Sequence, residues 1–335
     1  MHYFCLTNKR DMSLAVKRPL VIINPISGTG SKSNVPKRFA RAESEDDPTT
    51  YDFVFTEHMG HASELTHQAV DEGRKTIIAV GGDGTVNEVA RAMVHSDAVL
   101  GIIPSGSGNG LARELHIPLD IKRAIQVIKN GNVTTIDCCK ANDRTFFCTC
   151  GVGFDAVVSE KAQNEKKRGQ LMYVKDTIET YLNYKPETYE LIIDGEESIH
   201  EKAFLIAFAN ASQYGNNAYI APHANIQDGQ ISVTILTPFT PLDVAPLAVQ
   251  LFTKTIDKNS KIKTYSTRKA SIIRQKPGIM HLDGEAIQGE DRIDVEVIPK
   301  ALNVYTPESY TLTDEIHDFF SDVLNFMKSN FPVLT

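Results

Sequence analysis

The 335-residue sequence contains no apolar stretch approaching the length of a bilayer-spanning helix, and its N-terminus carries charges where a secretory signal needs an apolar core. Those absences point to a cytoplasmic protein without a transmembrane segment, touching the inner membrane face at most peripherally. Basic residues are not in excess: 35 Lys and Arg stand against 42 Asp and Glu, for a net charge of −7. A chain of that sign lacks the broad cationic surface that nucleic acid demands, which excludes nucleic acid as the main partner. The one compact basic group, Lys161, Lys166, Lys167 and Arg168, reads as a solvated helix face. Cysteines are scarce and odd in number, at positions 5, 138, 139, 148 and 150, without the paired spacing of a zinc ribbon. Reduced thiols packed on strands are expected, with Cys148 and Cys150 on one strand and Cys138 and Cys139 on its hairpin partner across an Asn142-Asp143 turn. Also missing is the Gly-Lys-Ser or Gly-Lys-Thr of a Walker loop.

What is present begins with length, since a chain of this size is expected to form two domains with ample cores. Residues before Val16 read as a loose leader, with Met12 as an alternative start. From Pro19 the pattern predicts strands at 20–23, 51–55, 76–80 and 99–103, alternating with helices at about 35–41, 61–72 and 86–93. A further helix is expected at 121–129, ended by Gly131, and the polar stretch 43–48 reads as an exposed loop. Strict β/α alternation means a parallel sheet with helices on both faces. After Asn132 the texture changes to strands joined by turns, at 133–140, 145–150, 189–193, 203–208, 231–236, 270–274, 279–282 and 293–298. Helices near 172–184 and 244–252 interrupt them. This reads as an antiparallel β-sandwich or incomplete barrel, with the boundary near 132. The last segment carries Ile316, Phe319, Phe320, Val323, Phe326 and Met327 on one helical stripe, expected to dock on the protein body, with membrane contact as the alternative.

Two of the predicted parallel strands end in glycine-rich loops, Gly81-Gly82-Asp83-Gly84-Thr85 and Ser105-Gly106-Ser107-Gly108-Asn109-Gly110. A third, Asn24-Pro25-Ile26-Ser27-Gly28-Thr29-Gly30, follows the first strand. Glycines let backbone N–H groups approach an anion, and a following helix aims its positive end at it. Three such loops on one sheet edge outline a nucleotide site, and Asp83 beside phosphate calls for a divalent cation.

These elements resemble the diacylglycerol kinase catalytic-domain family, which includes bacterial lipid kinases, sphingosine kinases and ceramide kinases. The resemblance rests on Asn24-Pro25 with Ser27-Gly28, on Thr56 with His61-Ala62-Glu64-Leu65, and on GGDGT at 81–85 followed by Asn87-Glu88. The SGSGN loop, Gly153-Phe154-Asp155-Ala156 and Asp283-Gly284-Glu285 complete it, in family order. It implies an α/β ATP-binding domain over 16–132, to which 301–335 returns, and a lipid-substrate β-sandwich domain over 133–300, as in the NAD kinase and diacylglycerol kinase folds. It also implies ATP and Mg²⁺ as cofactors, with Asn24, Pro25, Ser27, Gly28, Thr56, Gly81, Gly82, Gly84, Thr85, Glu88, Ser105, Gly106, Ser107, Gly108 and Asn109 at the nucleotide.

Phosphoryl transfer needs a phosphate cradle, charge neutralisation and a base for the acceptor hydroxyl. Asp83 is expected on the metal side and Asp283 as the base, with Glu285 in support, although either aspartate has a claim to the proton. Asp194-Gly195-Glu196 repeats the letters of 283–285 and is read as an ordinary hairpin. Asp155 is expected to orient the metal network or the acceptor head group, or to cap the next helix. Asp228-Gly229 resembles a structural Mg²⁺ segment weakened by Gln227. Gly110 stands where bacterial diacylglycerol kinases carry an Asp, which hints at a sphingoid acceptor while leaving diacylglycerol ahead. The expected function is an ATP- and Mg²⁺-dependent lipid kinase acting at a membrane surface, with a homodimer left open. The rivals are an NAD kinase-like soluble kinase and a non-catalytic lipid- or nucleotide-binding regulator.

Overall fold

The computed structural model describes residues 17–28, 32–42, 50–164, 181, 183–196 and 198–309. The expected leader, the loop at 43–48, the basic residues at 166–168, most of the helix expected at 172–184 and the C-terminal amphipathic stripe lie outside the described residues.

Short runs of β-branched and other apolar residues build the first sheet. Strand β1 (Leu20–Ile23) is buried at every position and lies between β2 (Asp52–Phe55) and β3 (Thr76–Gly81), with β4 (Val99–Pro104) beyond β3; all four run parallel. The intervening helices are α1 (Val35–Ala42), α2 (His61–Asp71), α3 (Asp83–Met93), the short α4 (Gly110–Glu114) and α5 (Ile121–Asn130). α1 packs with α5 and α2 with α3. Gly101 marks where α5 presses on the sheet, since a Cβ there would stand 2.8 Å from Ile128 and 2.9 Å from Ile78.

Beyond β4 the same sheet continues with β5 (Val133–Ala141), β6 (Arg144–Phe146), β8 (Glu187–Ile193), β9 (Ile199–Ala203), β13 (Lys269–Ile273) and β16 (Arg292–Tyr305). A second, antiparallel sheet has the order β12-β11-β10-β7-β14-β15: Ile262–Thr267, Ile231–Leu236, Leu205–Ala209, Thr149–Gly153, Gly278–Leu282 and Glu285–Gly289. Buried Cys139, Phe146, Tyr189, Leu191 and Ile272 from the first sheet meet Cys150, Val152, Phe208, Val233 and Leu282 from the second, which makes the β half a sandwich. Helices α6 (Phe154–Asn164) and α7 (Val244–Phe252) belong to the β half.

The expected pairing of the cysteine strands is corrected. The Asn142-Asp143 turn joins β5 to the short β6, and the chain then crosses at Phe147-Cys148 into β7 of the other sheet. Cys138, Cys139, Cys148 and Cys150 are all free and buried, and burial pushes each thiol well above its ordinary range. These thiols are protonated packing groups.

β16 joins the two halves. One edge pairs with β5 from Val295 to Tyr305, while the other passes from β13, over Arg292 to Glu296, to β4, with which Asn303 and Val304 pair in parallel. The change of partner needs the register break between Ile298 and Leu302, where Lys300 adopts a left-handed φ of 52°. Asp137, buried on β5, holds that bulge: its Oδ1 accepts from the Lys300 N–H and its Oδ2 from the Gly229 N–H, both at 2.7 Å. Asp137→Ala leaves both donors without a partner, and urea unfolding is expected to show about 2–4 kcal/mol of lost stability.

Candidate functional site

Three loops interlock at the carboxyl edge of the parallel strands. The Asn24 amide donates to Thr85 Oγ1 at 2.9 Å, joining the first loop to the start of α3. Ser27 Oγ meets Ser105 Oγ at 3.1 Å, joining the first loop to the third. The Ser105 N–H donates to the Gly81 carbonyl at 2.7 Å, joining the third loop to the second. Glycine is obligatory at the crossings. A Cβ on Gly28, whose φ is +57°, would collide with the Ser105 carbonyl, and one on Gly106 would lie 2.5 Å from Gly82 Cα.

Asp83 opens α3, three residues earlier than the sequence pattern indicated, and its carboxylate reaches across to the third loop. Oδ2 accepts from the Asn109 N–H at 2.8 Å and Oδ1 from the Gly110 N–H at 2.6 Å. Asn109 is left-handed at φ 52° and folds its own amide back on Gly106, with its oxygen accepting from the Gly106 N–H and its nitrogen donating to the Gly106 carbonyl. α4 therefore starts on the Asp83 carboxylate. It ends on the β half, where Glu114 accepts from the N–H and hydroxyl of Ser212. Burial pushes the Glu114 carboxyl up, against those two bonds.

Asp283 comes from the opposite side, in the turn between β14 and β15. Asp283 and Gly284 take φ of 50° and 82°, and Asp194 and Gly195 take 50° and 80°, so both Asp-Gly pairs are hairpin turns. What each carboxylate meets separates them. Asp194 accepts from Thr267, Arg268 and Lys269 at the surface. Asp283 turns inward, its Oδ2 accepting from the Phe147 N–H and its Oδ1 from the Cys148 and Thr149 N–H groups at 2.7–3.0 Å. Three of its four lone-pair positions are taken, which leaves one on Oδ2. Burial raises the Asp283 carboxyl above its ordinary range, opposed first by the three N–H bonds and then by the charge of Arg91.

Cys148 connects the two aspartates. Its N–H binds Asp283, and its Sγ lies 3.6 Å from where a Gly110 Cβ would be, beside the N–H that binds Asp83. Its thiol is pushed up by burial first and by the charges of Asp283, Asp83 and Glu114 next. Arg91, on the last turn of α3, is a residue that sequence reasoning missed. Its Nε and Nη2 are buried with no hydrogen-bond partner, and its charge acts on Asp283.

Asp155 is the second residue of α6, with Oδ1 accepting from the Ala156 N–H at 2.8 Å. Its Oδ2 is held by the Tyr214 hydroxyl at 2.9 Å and His281 Nε2 at 3.1 Å. His281 precedes Asp283 by two residues and is buried, so Asp155 belongs to the same neighbourhood. Nothing in its own stretch of sequence marked His281 as a partner.

The remaining expected residues make the following contacts. Glu88 accepts from the Gly60 and Ala62 N–H groups and ties the start of α2 to α3. The Thr56 N–H continues the β1–β2 ladder onto Ile23. Glu285 is exposed at the start of β15, away from the bonds of Asp283. Asp228 is exposed in its turn and accepts from the Gln230 N–H. Among the described residues the only trio of ligating side chains within 4.8 Å is His58, His61 and Glu64, at the start of α2. Asp83 keeps one unused lone pair on each oxygen at the lip of the loops. That suits Mg²⁺, which takes one or two protein carboxylates and fills its shell with phosphate oxygens and water.

Residues 18–141 match the diacylglycerol kinase catalytic domain and residues 148–306 the YegS C-terminal NAD kinase beta sandwich-like domain. A Mycobacterium tuberculosis protein named diacylglycerol kinase is 28% identical over 254 residues, 73% of this chain and 81% of its own. An Enterobacter protein named "Probable lipid kinase YegS-like" is 29% identical over 286 residues, 83% of this chain and 93% of its own. The crystal structure of a diacylglycerol kinase from Bacillus anthracis superposes with a TM-score of 0.65 at 19% identity, covering 87% of this chain and 97% of that one. With both halves matched in order and the three loops at the expected strand ends, the chain belongs to the diacylglycerol kinase catalytic-domain family.

Proposed function

We propose that this kinase transfers the γ-phosphate of ATP to a hydroxyl of a membrane-derived lipid, of the diacylglycerol or sphingoid type, with Mg²⁺ at Asp83. The observation that carries this reading is that Asp83 and Asp283 approach a single thiol, Cys148, from opposite halves of the protein. One carboxylate borders the phosphate loops and the other borders the β half, as a donor and an acceptor require.

The roles follow from the bonding. The first-turn N–H groups of α3, which no intrahelical carbonyl can satisfy, lie at the second loop and suit the triphosphate. Mg²⁺, when bound, supplies charge neutralisation between the phosphates and Asp83. Asp283 has one free lone pair on Oδ2 and a carboxyl raised by burial, and both properties suit a base that takes the hydroxyl proton. Its three N–H donors fix that oxygen in place. Asp155, held by Tyr214 and His281, borders the acceptor side.

The test is transfer of label from ATP to mixed micelles containing diacylglycerol, ceramide, a sphingoid base or monoacylglycerol, with NAD as a soluble control. Labelled lipid is the expected outcome; label on NAD alone contradicts the reading. In the same assay Asp283→Asn is expected to lower kcat by about 10²–10⁴ with the KM for ATP nearly unchanged. Comparable activity in that variant contradicts the base assignment.

The pH dependence has a definite sign. A base must be ionised to accept a proton, so kcat/KM falls on the acid side at the Asp283 carboxyl, above the ordinary aspartate range. The positive charge of Arg91 favours the ionised form. Arg91→Gln is therefore expected to move the acid limb to higher pH, as read from the pH profile of kcat/KM.

A further inference from the structure

α7 is a surface helix with the wrong face outward. Its nine residues, Val-Ala-Pro-Leu-Ala-Val-Gln-Leu-Phe, carry no charge, and only Leu247 is buried. Val249 is 62% and Phe252 58% exposed, and Leu242, just before the helix, is 87% exposed. A helix resting on a water-soluble body turns a polar face to solvent, and this one does not. It is nonetheless firmly seated. The Leu251 carbonyl accepts from the Tyr219 N–H at 2.8 Å, and Thr240 and Asp243 cap the approach to the helix with reciprocal bonds.

Beneath the helix the apolar cluster runs inward to the site. Leu247 and Leu251 join Phe204, Phe239, Tyr181 and Tyr184. Tyr181, Tyr184, Pro186, Phe204, Phe239 and Pro241 line an open recess of about 250 Å³, with Pro241 next to exposed Leu242. At the inner end, Tyr184 Oη and the Phe204 carbonyl press on Gly153, and the Phe154 ring lies 4.5 Å from that of Phe204. The next residue is Asp155. A packed aromatic cluster therefore connects the exposed helix and its recess to the acceptor side of the site.

The volume decides what can lie in it. Pockets that enclose drug-sized ligands measure about 300–1,000 Å³, so this recess admits only the head-proximal part of a two-chain lipid. The rest of the chains must stay in the bilayer, and the lip of the recess must then lie against it. Charge of the fitting sign follows α7 along the chain. Between residues 240 and 263 stand Lys254, Lys258, Lys261 and Lys263 against Asp243 and Asp257, a positive stretch in a chain of net charge −7. The Lys254 ammonium sits 4.6 Å from the centre of the Tyr219 ring, and Lys263 pairs with Glu201.

We propose that Leu242 and α7 form the face by which the protein docks on a bilayer containing anionic lipid, with the aromatic recess receiving the acceptor. The role of the recess rests on the lipid-kinase reading; the docking face stands without it. Apolar side chains enter the head-group boundary and the lysines meet anionic head groups, so binding weakens with salt.

Sedimentation of the full chain with vesicles of equal parts phosphatidylcholine and phosphatidylglycerol tests this, comparing the unsubstituted protein with Val249→Asp/Phe252→Asp. The unsubstituted protein is expected to sediment, and the double variant to lose about tenfold or more of its bound fraction. The variant should keep its activity on a short-chain, water-soluble diacylglycerol and lose it on long-chain lipid in vesicles. Equal sedimentation of the two proteins overturns the proposal, as does failure of the unsubstituted protein to sediment. So does a change from dimer to monomer with vesicle binding intact, since α7 would then be a contact between copies. Vesicle binding that the variant loses, without phosphorylation of either lipid, upholds the docking face while contradicting the kinase reading.

Discussion

The site depends on one carboxylate shared between two loops. Asp83 begins α3 and holds the N–H groups of Asn109 and Gly110, so the second glycine loop cannot move without the third. Charge-assisted bonds of this kind contribute about 1.5–3 kcal/mol each. The pair is enough to fix loops whose glycines would otherwise leave them free. α4 starts on that carboxylate and ends on Ser212, which ties the α/β half to the β half. A clamp set in the second loop thereby fixes where the β half stands.

Much of this was legible in the sequence, for local reasons. β1, β3 and β4 are short runs of β-branched and apolar residues, and their burial on both faces follows from that composition. Their glycine loops follow because a backbone crossing as close as Gly106 on Gly82 admits no Cβ. Gly131 ends α5 in the left-handed conformation that its position implied.

The rest was hidden because its causes are distant in sequence. The alternation that marks a strand does not say which sheet the strand joins, so the crossing at Phe147-Cys148 was invisible and Cys138 and Cys139 were paired with the wrong partner. α4 is too short to show a period. Asp83-Gly84-Thr85 reads as loop by composition, yet it forms the first turn of α3. Asp194 and Asp283 share both their letters and their turn, and only the N–H groups of residues 147–149 distinguish them. Arg91 and His281 gain meaning from Asp283 and Asp155, which lie more than a hundred residues away.

The most direct test of the clamp is ATP binding by Asp83→Asn, measured by titration calorimetry with Mg²⁺ present. An asparagine oxygen can accept from one of the two N–H groups, while its amide nitrogen opposes the other. The account predicts a loss of ATP affinity of about tenfold or more, together with an unfolding temperature lowered by several degrees. Unchanged affinity would show that the loops hold their shape without Asp83, and would contradict the account.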